Sequence, residues 1–102
     1  MTFNHKLENE ILTVYPVGRL DTDSSVKFET EILDICNANK HESLILDATE
    51  LQYVASSGLR VILKIAKSEK NFKIENVPSA IYSVFEMTGF SRIINISKAL
   101  RK

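Results

Sequence analysis

The chain of 102 residues suits one domain and is too short for two ordinary ones. Its 13 basic and 13 acidic side chains cancel to a net charge of zero, which argues against a general nucleic-acid binder, because a phosphate backbone rewards a basic excess. A hydrophobic share of 44% excludes a disordered tail or a fibrous repeat. Along the chain, Phe3–Leu7 reads as a short strand and Glu8-Asn9-Glu10 as a polar turn. Ile11–Val17 is a second strand rich in β-formers. Pro16 cannot donate to a ladder and is expected near that strand's end or on an edge. Gly18-Arg19-Leu20-Asp21 breaks the pattern, and Asp21, Thr22, Asp23 and Ser24 all offer a helix-capping oxygen.

The first helix carries an apolar stripe of Val26, Phe28, Ile32, Leu33, Ile35 and Cys36, with Glu29, Glu31 and Asp34 opposite. It ends in Asn37-Ala38-Asn39-Lys40. Ser43–Ala48 is a short apolar run suited to a buried central strand. Thr49–Ala55 reads as a connection. Ser56-Ser57-Gly58 opens a second helix with Leu59, Ile62, Leu63 and Ala66 inside and Arg60, Lys64, Lys67 and Lys70 outside. Phe72–Glu75 alternates as a strand. Asn76-Val77-Pro78-Ser79 begins a third helix, with Pro78 near its first position. Ile81, Val84, Phe85 and Thr88 are its inner candidates, and Gly89 suits the residue after its C-cap. Ile93–Ile96 admits a last short strand, and Ser97–Lys102 a frayed or helical tail. The order β-β-α-β-α-β-α implies an α/β fold: a mixed sheet opened by an antiparallel hairpin, continued by parallel strands, with helices packed on it. Residues 1–102 read as a single domain.

Most catalytic chemistry is missing. Gly18, Gly58 and Gly89 are too far apart for a phosphate loop or a dinucleotide fingerprint. Ala55-Ser56-Ser57-Gly58 lacks the glycine that a nucleophile elbow needs two residues before its serine. Cys36 is the only cysteine, expected as a buried small hydrophobe. With His5 at a terminus and His41 in a loop, no Cys/His zinc cluster is expected. His41 reads as an exposed loop residue rather than a catalytic base. The chain is therefore expected not to be an enzyme and to hold no metal or cofactor. Met1–Glu8 shows no signal-peptide run, and no stretch approaches the ~20 apolar residues that span a bilayer. A lone thiol suits a reducing compartment, so a cytosolic location without membrane insertion is expected.

One place carries a mechanism. Ser56 and Ser57 stand where the chain after a central strand enters a helix, and open α/β sheets gather ligands beyond strand C-termini. The first helical amides lack partners and the dipole end is positive, so an anion is tolerated there. A serine hydroxyl could cap the helix. A phosphate on that hydroxyl would leave the fold intact and add about −1.5 to −2 charge. Gly58 could serve only close packing. Charge is also unevenly placed. Residues 1–52 hold ten acids and four bases, a net −6; residues 53–102 hold three acids and nine bases, a net +6. The basic outer face of the second helix is either solvated or meets an acidic partner, in which case binding weakens with salt.

Gly18-Arg19-Leu20-Asp21, then Leu44–Leu51, then Tyr53-Val54-Ala55-Ser56-Ser57-Gly58-Leu59-Arg60-Val61, then Gly89-Phe90 together resemble the STAS domain. The likeness is to the stand-alone bacterial anti-sigma factor antagonists and runs from about Leu7 to Ile96. The Ser-Ser-Gly-Leu segment is its most specific part. The resemblance implies a partner switch in transcription regulation. Such an antagonist binds an anti-sigma factor that is also a serine protein kinase. Phosphorylation of a serine at the helix start separates the two, and a metal-dependent serine phosphatase restores binding. Ser56 occupies the acceptor's place, with Ser57 as the alternative. Asp21 matches the acidic residue of the neighbouring loop, and the implied partner surface comprises Asp21, Asp23, Ala55, Ser56, Ser57, Gly58 and Arg60. Where the family often has Asp before the acceptor, this chain has Ala55. That departure supports an alternative: a non-phosphorylated STAS scaffold subunit of a lipid-transport or other regulatory complex. A third reading, a nucleotide phosphate held at the helix N-terminus, has no glycine-rich cradle to support it.

Overall fold

The computed structural model describes residues 1–99. Strands β1 (Thr2–Glu8) and β2 (Ile11–Leu20) form an antiparallel hairpin in which Glu8 faces Ile11. Asn9 and Glu10 both have positive φ, 50° and 66°, the backbone of a two-residue turn whose twist matches its strands. Helix α1 (Thr22–Ala38) leads to β3 (Ser43–Asp47), β4 (Leu51–Val54) and helix α2 (Ser56–Ser68). Then come β5 (Phe72–Val77), helix α3 (Ser79–Met87), a single 3-10 turn at Phe90–Arg92, and β6 (Asn95–Lys98). The six strands form one sheet in the order β1-β2-β3-β5-β6, with β4 also paired to β2. All pairs beyond the hairpin are parallel, as helical crossovers require.

Strand β2 organises the sheet. Its first half, Ile11–Val14, pairs with β3, and its last residues, Gly18–Leu20, pair with β4. Gly18 does not end the strand as the sequence suggests; at φ +118° it bends it, and the register shifts between Gly18 and Arg19. Only glycine adopts that backbone without strain. Pro16 sits inside this ten-residue strand rather than at its end, in the gap between the two parallel pairings. The core runs from Leu12, Val14 and Leu20 of β2 through Leu44, Leu46 and Ile74 of the neighbouring strands to Phe28, Ile62 and Phe85 of the three helices.

Several boundaries move. The expected connection at Thr49–Ala55 contains β4, whose Leu51 and Val54 are buried and whose Gln52 and Tyr53 are exposed. In α1 the stripe is narrower than expected: Val26 is 73% and Leu33 50% exposed, while Ser25, Phe28 and Ile32 face the sheet. In α2 the inner face is Gly58, Val61, Ile62 and Ile65, with Leu59, Leu63 and Ala66 at its margins. In α3, Ile81 and Phe85 are buried but Thr88 is exposed. Pro78 is that helix's N-cap rather than its first residue. Gly89, at φ +81°, follows the Thr88 C-cap as expected. The last strand begins two residues later than its apolar run suggests. Ser97 and Lys98 belong to it, and residues 100–102 of the expected tail lie outside the described residues.

Candidate functional site

The ends of β2 and β4 bring the starts of α1 and α2 side by side. Asp21 is the N-cap of α1. Its Oδ1 accepts from the Ser24 amide at 3.0 Å, and Ser24 Oγ accepts from the Asp21 amide at 2.9 Å. This reciprocal capping box satisfies two otherwise orphaned donors. The Ser24 amide, then the Ser24 hydroxyl, hold the Asp21 carboxyl below its ordinary pKa, outweighing desolvation, with the Arg19 charge acting the same way. Asp23 is exposed in the first turn of the same helix.

Helix α2 starts differently. Its N-cap is Ala55, with extended backbone and no side-chain oxygen to offer. Ser56 is thus the first helical residue rather than the cap. The Ala55 amide donates to the Leu20 carbonyl at 2.8 Å, which pins the helix to the end of β2. The amides of Ser56, Ser57 and Gly58 precede the first intrahelical bond, Leu59 N–H to Ala55 C=O at 3.0 Å, and point out of the helix. Ser56 is exposed, and its hydroxyl has no side-chain partner among the described residues. Arg60 is exposed on the same helical face, four residues on.

Ser57 is turned the other way. Its Oγ lies 2.9 Å from Ser25 Oγ, and Ser25 Oγ donates to the Asp21 carbonyl at 2.6 Å. With that proton engaged, Ser57 is the donor between the two hydroxyls. The chain Ser57–Ser25–Asp21 therefore locks the two helix starts together. Gly58 is buried, and a Cβ built there would lie 2.5 Å from Leu20 Cγ, so it permits close approach of α2 to β2 and is no surface residue. Asp21, Ala55 and Ser56 thus stand at one rim formed by the two helix starts, with Ser57 and Gly58 fastening it from beneath. Arg60 follows one turn into α2, and Asp23, two residues before Ser25, lies on the other side of α1 from that seam. Between α1 and α2 a shallow groove is lined by Val26, Glu29, Ser57, Arg60 and Lys64. Lys64 Nζ meets Glu29 at 2.8 Å, so part of the basic face pairs with the acidic half of the chain. Ser25 and the Arg19 guanidinium, 4.3 Å from the Tyr53 ring centre, were not singled out in the sequence. The Asp21-to-Ser25 spacing was the only local signal for the first.

A second constellation forms at the far end of these helices. His41 is not exposed: its side chain is 9% accessible, with Nε2 at 2.8 Å from Glu69 Oε1 and Nδ1 at 2.6 Å from the Asn39 carbonyl. Cys36 is half-buried, and burial first, then the Glu69 carboxylate, push its thiol up to about 11. One cysteine was expected to exclude a mixed cluster, yet the donor atoms of Cys36, His41 and Glu69 lie within 4.8 Å of one another.

Comparison with known proteins agrees with this fold. Residues 3–102 match the STAS domain. An anti-sigma-B factor antagonist of Listeria monocytogenes is 28% identical over 93 residues, covering 87% of this chain and 81% of that one. The crystal structure of an anti-sigma factor antagonist from Mycobacterium paratuberculosis superposes with a TM-score of 0.85 at 17% identity, over 97% of this chain and 86% of that chain. The Bacillus cell fate determinant SpoIIAA in its phosphorylated form superposes at 0.63 and 17% identity, over 93% and 90%. At these identities the structural likeness is one of fold. The match across nearly the whole sequence, joined to a mixed sheet that carries Ser56 at the start of α2, places this chain in the STAS domain family.

Proposed function

We propose that the chain is an anti-sigma factor antagonist that works by partner switching. It binds an anti-sigma factor of the serine-kinase type through the surface around the starts of α1 and α2, which carries Asp21, Asp23, Ala55, Ser56 and Arg60. The kinase then transfers the γ-phosphoryl group of ATP to Ser56 Oγ. The Oγ–H and terminal P–O bonds break, ADP leaves, the proton goes to a base of the kinase, and the complex separates. A serine phosphatase returns the chain to its binding form. The reading rests on Ser56: an exposed hydroxyl at the first position of α2, in front of first-turn amides that have no intrahelical acceptor and the positive dipole end. There the fold tolerates a phosphate while the partner surface changes its charge. The Listeria relative's name and the phosphorylated state of the Bacillus fold neighbour support the same reading.

The test is incubation with an anti-sigma kinase and ATP, read by intact mass. One added phosphate on the native chain and none on Ser56→Ala is expected. A native chain left unmodified by a kinase active on another antagonist overturns the switch. Ala55 favours one other reading, a STAS scaffold that is never phosphorylated, because it removes the carboxylate that usually precedes the acceptor. Under that reading, pull-down from native cells recovers transporter subunits and no kinase.

A further inference from the structure

The Cys36, His41 and Glu69 cluster lies outside the partner-switch rim. Ser56 opens α2 and Glu69 closes it as the C-cap, so a 13-residue helix separates them, about 20 Å at 1.5 Å per residue. The three side chains come from different places: Cys36 from the last turns of α1, His41 from the loop before β3, and Glu69 from the end of α2. Their donor atoms, a thiol sulfur, a ring nitrogen and a carboxylate oxygen, lie within 4.8 Å of one another. A tetrahedral ion bound at about 2.0–2.3 Å sets its ligand atoms roughly 3.3–3.6 Å apart. To reach that spacing the 2.8 Å His41–Glu69 contact opens by roughly half an ångström, and a Cys36 separation at the 4.8 Å bound closes by about one ångström.

The supporting structure is already in place. The Asn39 carbonyl takes the Nδ1 proton of His41, which fixes the ring and directs Nε2 at the cluster, as the outer hydrogen bond of a metal-binding histidine does. Asn39 is itself held, its side-chain amide donating to the Ile35 carbonyl at 2.8 Å and its backbone amide reaching the Cys36 carbonyl at 3.4 Å. The Glu69 backbone is fixed by its bond to Ile65 at 3.0 Å. The side chains of His41 and Glu69 are only 9% and 21% exposed. A cleft lined by Glu10, Lys40, His41 and Glu42 opens beside the loop and provides an approach from solvent.

We propose that Cys36, His41 and Glu69 form a binding site for a thiophilic divalent cation of the zinc type, with solvent in the fourth position. One thiolate, one imidazole and one carboxylate suit Zn²⁺ or Co²⁺ and do not suit Mg²⁺ or Ca²⁺, which take all-oxygen ligands. The thiolate and carboxylate neutralise a divalent ion, so the ion sits half-buried without net charge. Binding displaces two protons to solvent, that of the Cys36 thiol and the Nε2 proton that His41 directs at Glu69, and ties the ends of α1 and α2 through one centre. The proposal is independent of the function proposed for Ser56.

The experiment titrates the untagged, reduced chain with Co²⁺ and then displaces it with Zn²⁺. Expected are a thiolate-to-cobalt charge-transfer band, visible bands of a four-coordinate ion, 1:1 stoichiometry, and bleaching by Zn²⁺. Cys36→Ser should abolish the charge-transfer band. His41→Gln and Glu69→Gln should each weaken Zn²⁺ by at least about tenfold, with far-ultraviolet circular dichroism confirming that each remains folded. His5→Gln should change nothing. A Co²⁺ titration of the native chain without a thiolate band overturns the proposal and leaves His41–Glu69 as an ion pair. Equal Zn²⁺ affinity in native and His41→Gln chains overturns it as well. The native spectrum decides the matter even where a variant fails to fold.

Discussion

Gly58 is where the sequence signature and the packing meet. Its missing Cβ is required because Leu20 occupies that space, with Cγ at 2.5 Å and Cδ2 at 2.8 Å from a built Cβ. Gly58→Ala should therefore destabilise the chain by about 1–3 kcal/mol through overpacking. Helix propensity alone would favour alanine by about 1 kcal/mol, so the sign of the measured change separates the two effects. Urea unfolding with an unchanged m-value is the readout. Asp21 gives a second prediction at this scale. Its carboxyl is held below its ordinary value of 3.8, chiefly by the Ser24 amide. A depressed folded-state pKa contributes stability that is present above the unfolded value and lost as pH falls through the folded one. Stability should thus decline on acidification below about pH 4, and Asp21→Asn should flatten that part of the profile. An unchanged acid limb in Asp21→Asn would remove Asp21 as its source.

At the scale of elements, α1 and α2 begin alike in position but not in chemistry. Helix α1 has a full capping box, whereas α2 has Ala55 and no side-chain cap. Ala55→Asp should supply the missing acceptor and stabilise the chain by about 0.5–2 kcal/mol. A midpoint in urea that stays put or falls would show that a carboxylate at position 55 does not reach the first-turn amides of Ser57 and Gly58. The elements also show what the sequence could carry. The three helices and the hairpin were legible because apolar period and turn residues are local signals. Strand β4 was missed because four residues with only their ends buried, Leu51 and Val54, show no alternation; pairing with the bent end of β2 creates the strand. Val26 and Leu33 looked like core because they flank the true stripe. The face that the sheet covers is narrower, and Ser25, a polar residue, takes a core position by bonding to Asp21.

Across the whole molecule, the candidate site was legible only in part. Asp21, Ala55 and Ser56 stand at one rim, the adjoining starts of α1 and α2, with Arg60 a turn further on and Asp23 exposed on the other side of α1. What fastens that rim joins residues 32 apart, Ser25 and Ser57, and the Cys36–His41–Glu69 cluster joins residues up to 33 positions apart. No local pattern announces either. The charge split is likewise resolved by the fold: Glu29 of the acidic half reaches Lys64 of the basic half across α1 and α2. An exposed pair of this kind contributes little to stability, and Arg60 and Lys67 of the same helix, with Lys70 just beyond its end, are also exposed. Among the described residues no helix is long and apolar enough to cross a membrane. A phosphate on Ser56 would take a chain of net charge zero to about −2, a large relative change for so small a surface.

The central claim is that one hydroxyl at the start of α2 controls partner binding. Its most direct measurement is the affinity of an anti-sigma kinase for the native chain, Ser56→Ala, and the chain phosphorylated at Ser56, at one fixed salt concentration. The account predicts that native and Ser56→Ala bind within a few-fold of each other, and that the phosphorylated chain binds at least about tenfold more weakly, a loss of about 1.4 kcal/mol or more. Equal binding by the phosphorylated and unphosphorylated chains would contradict it.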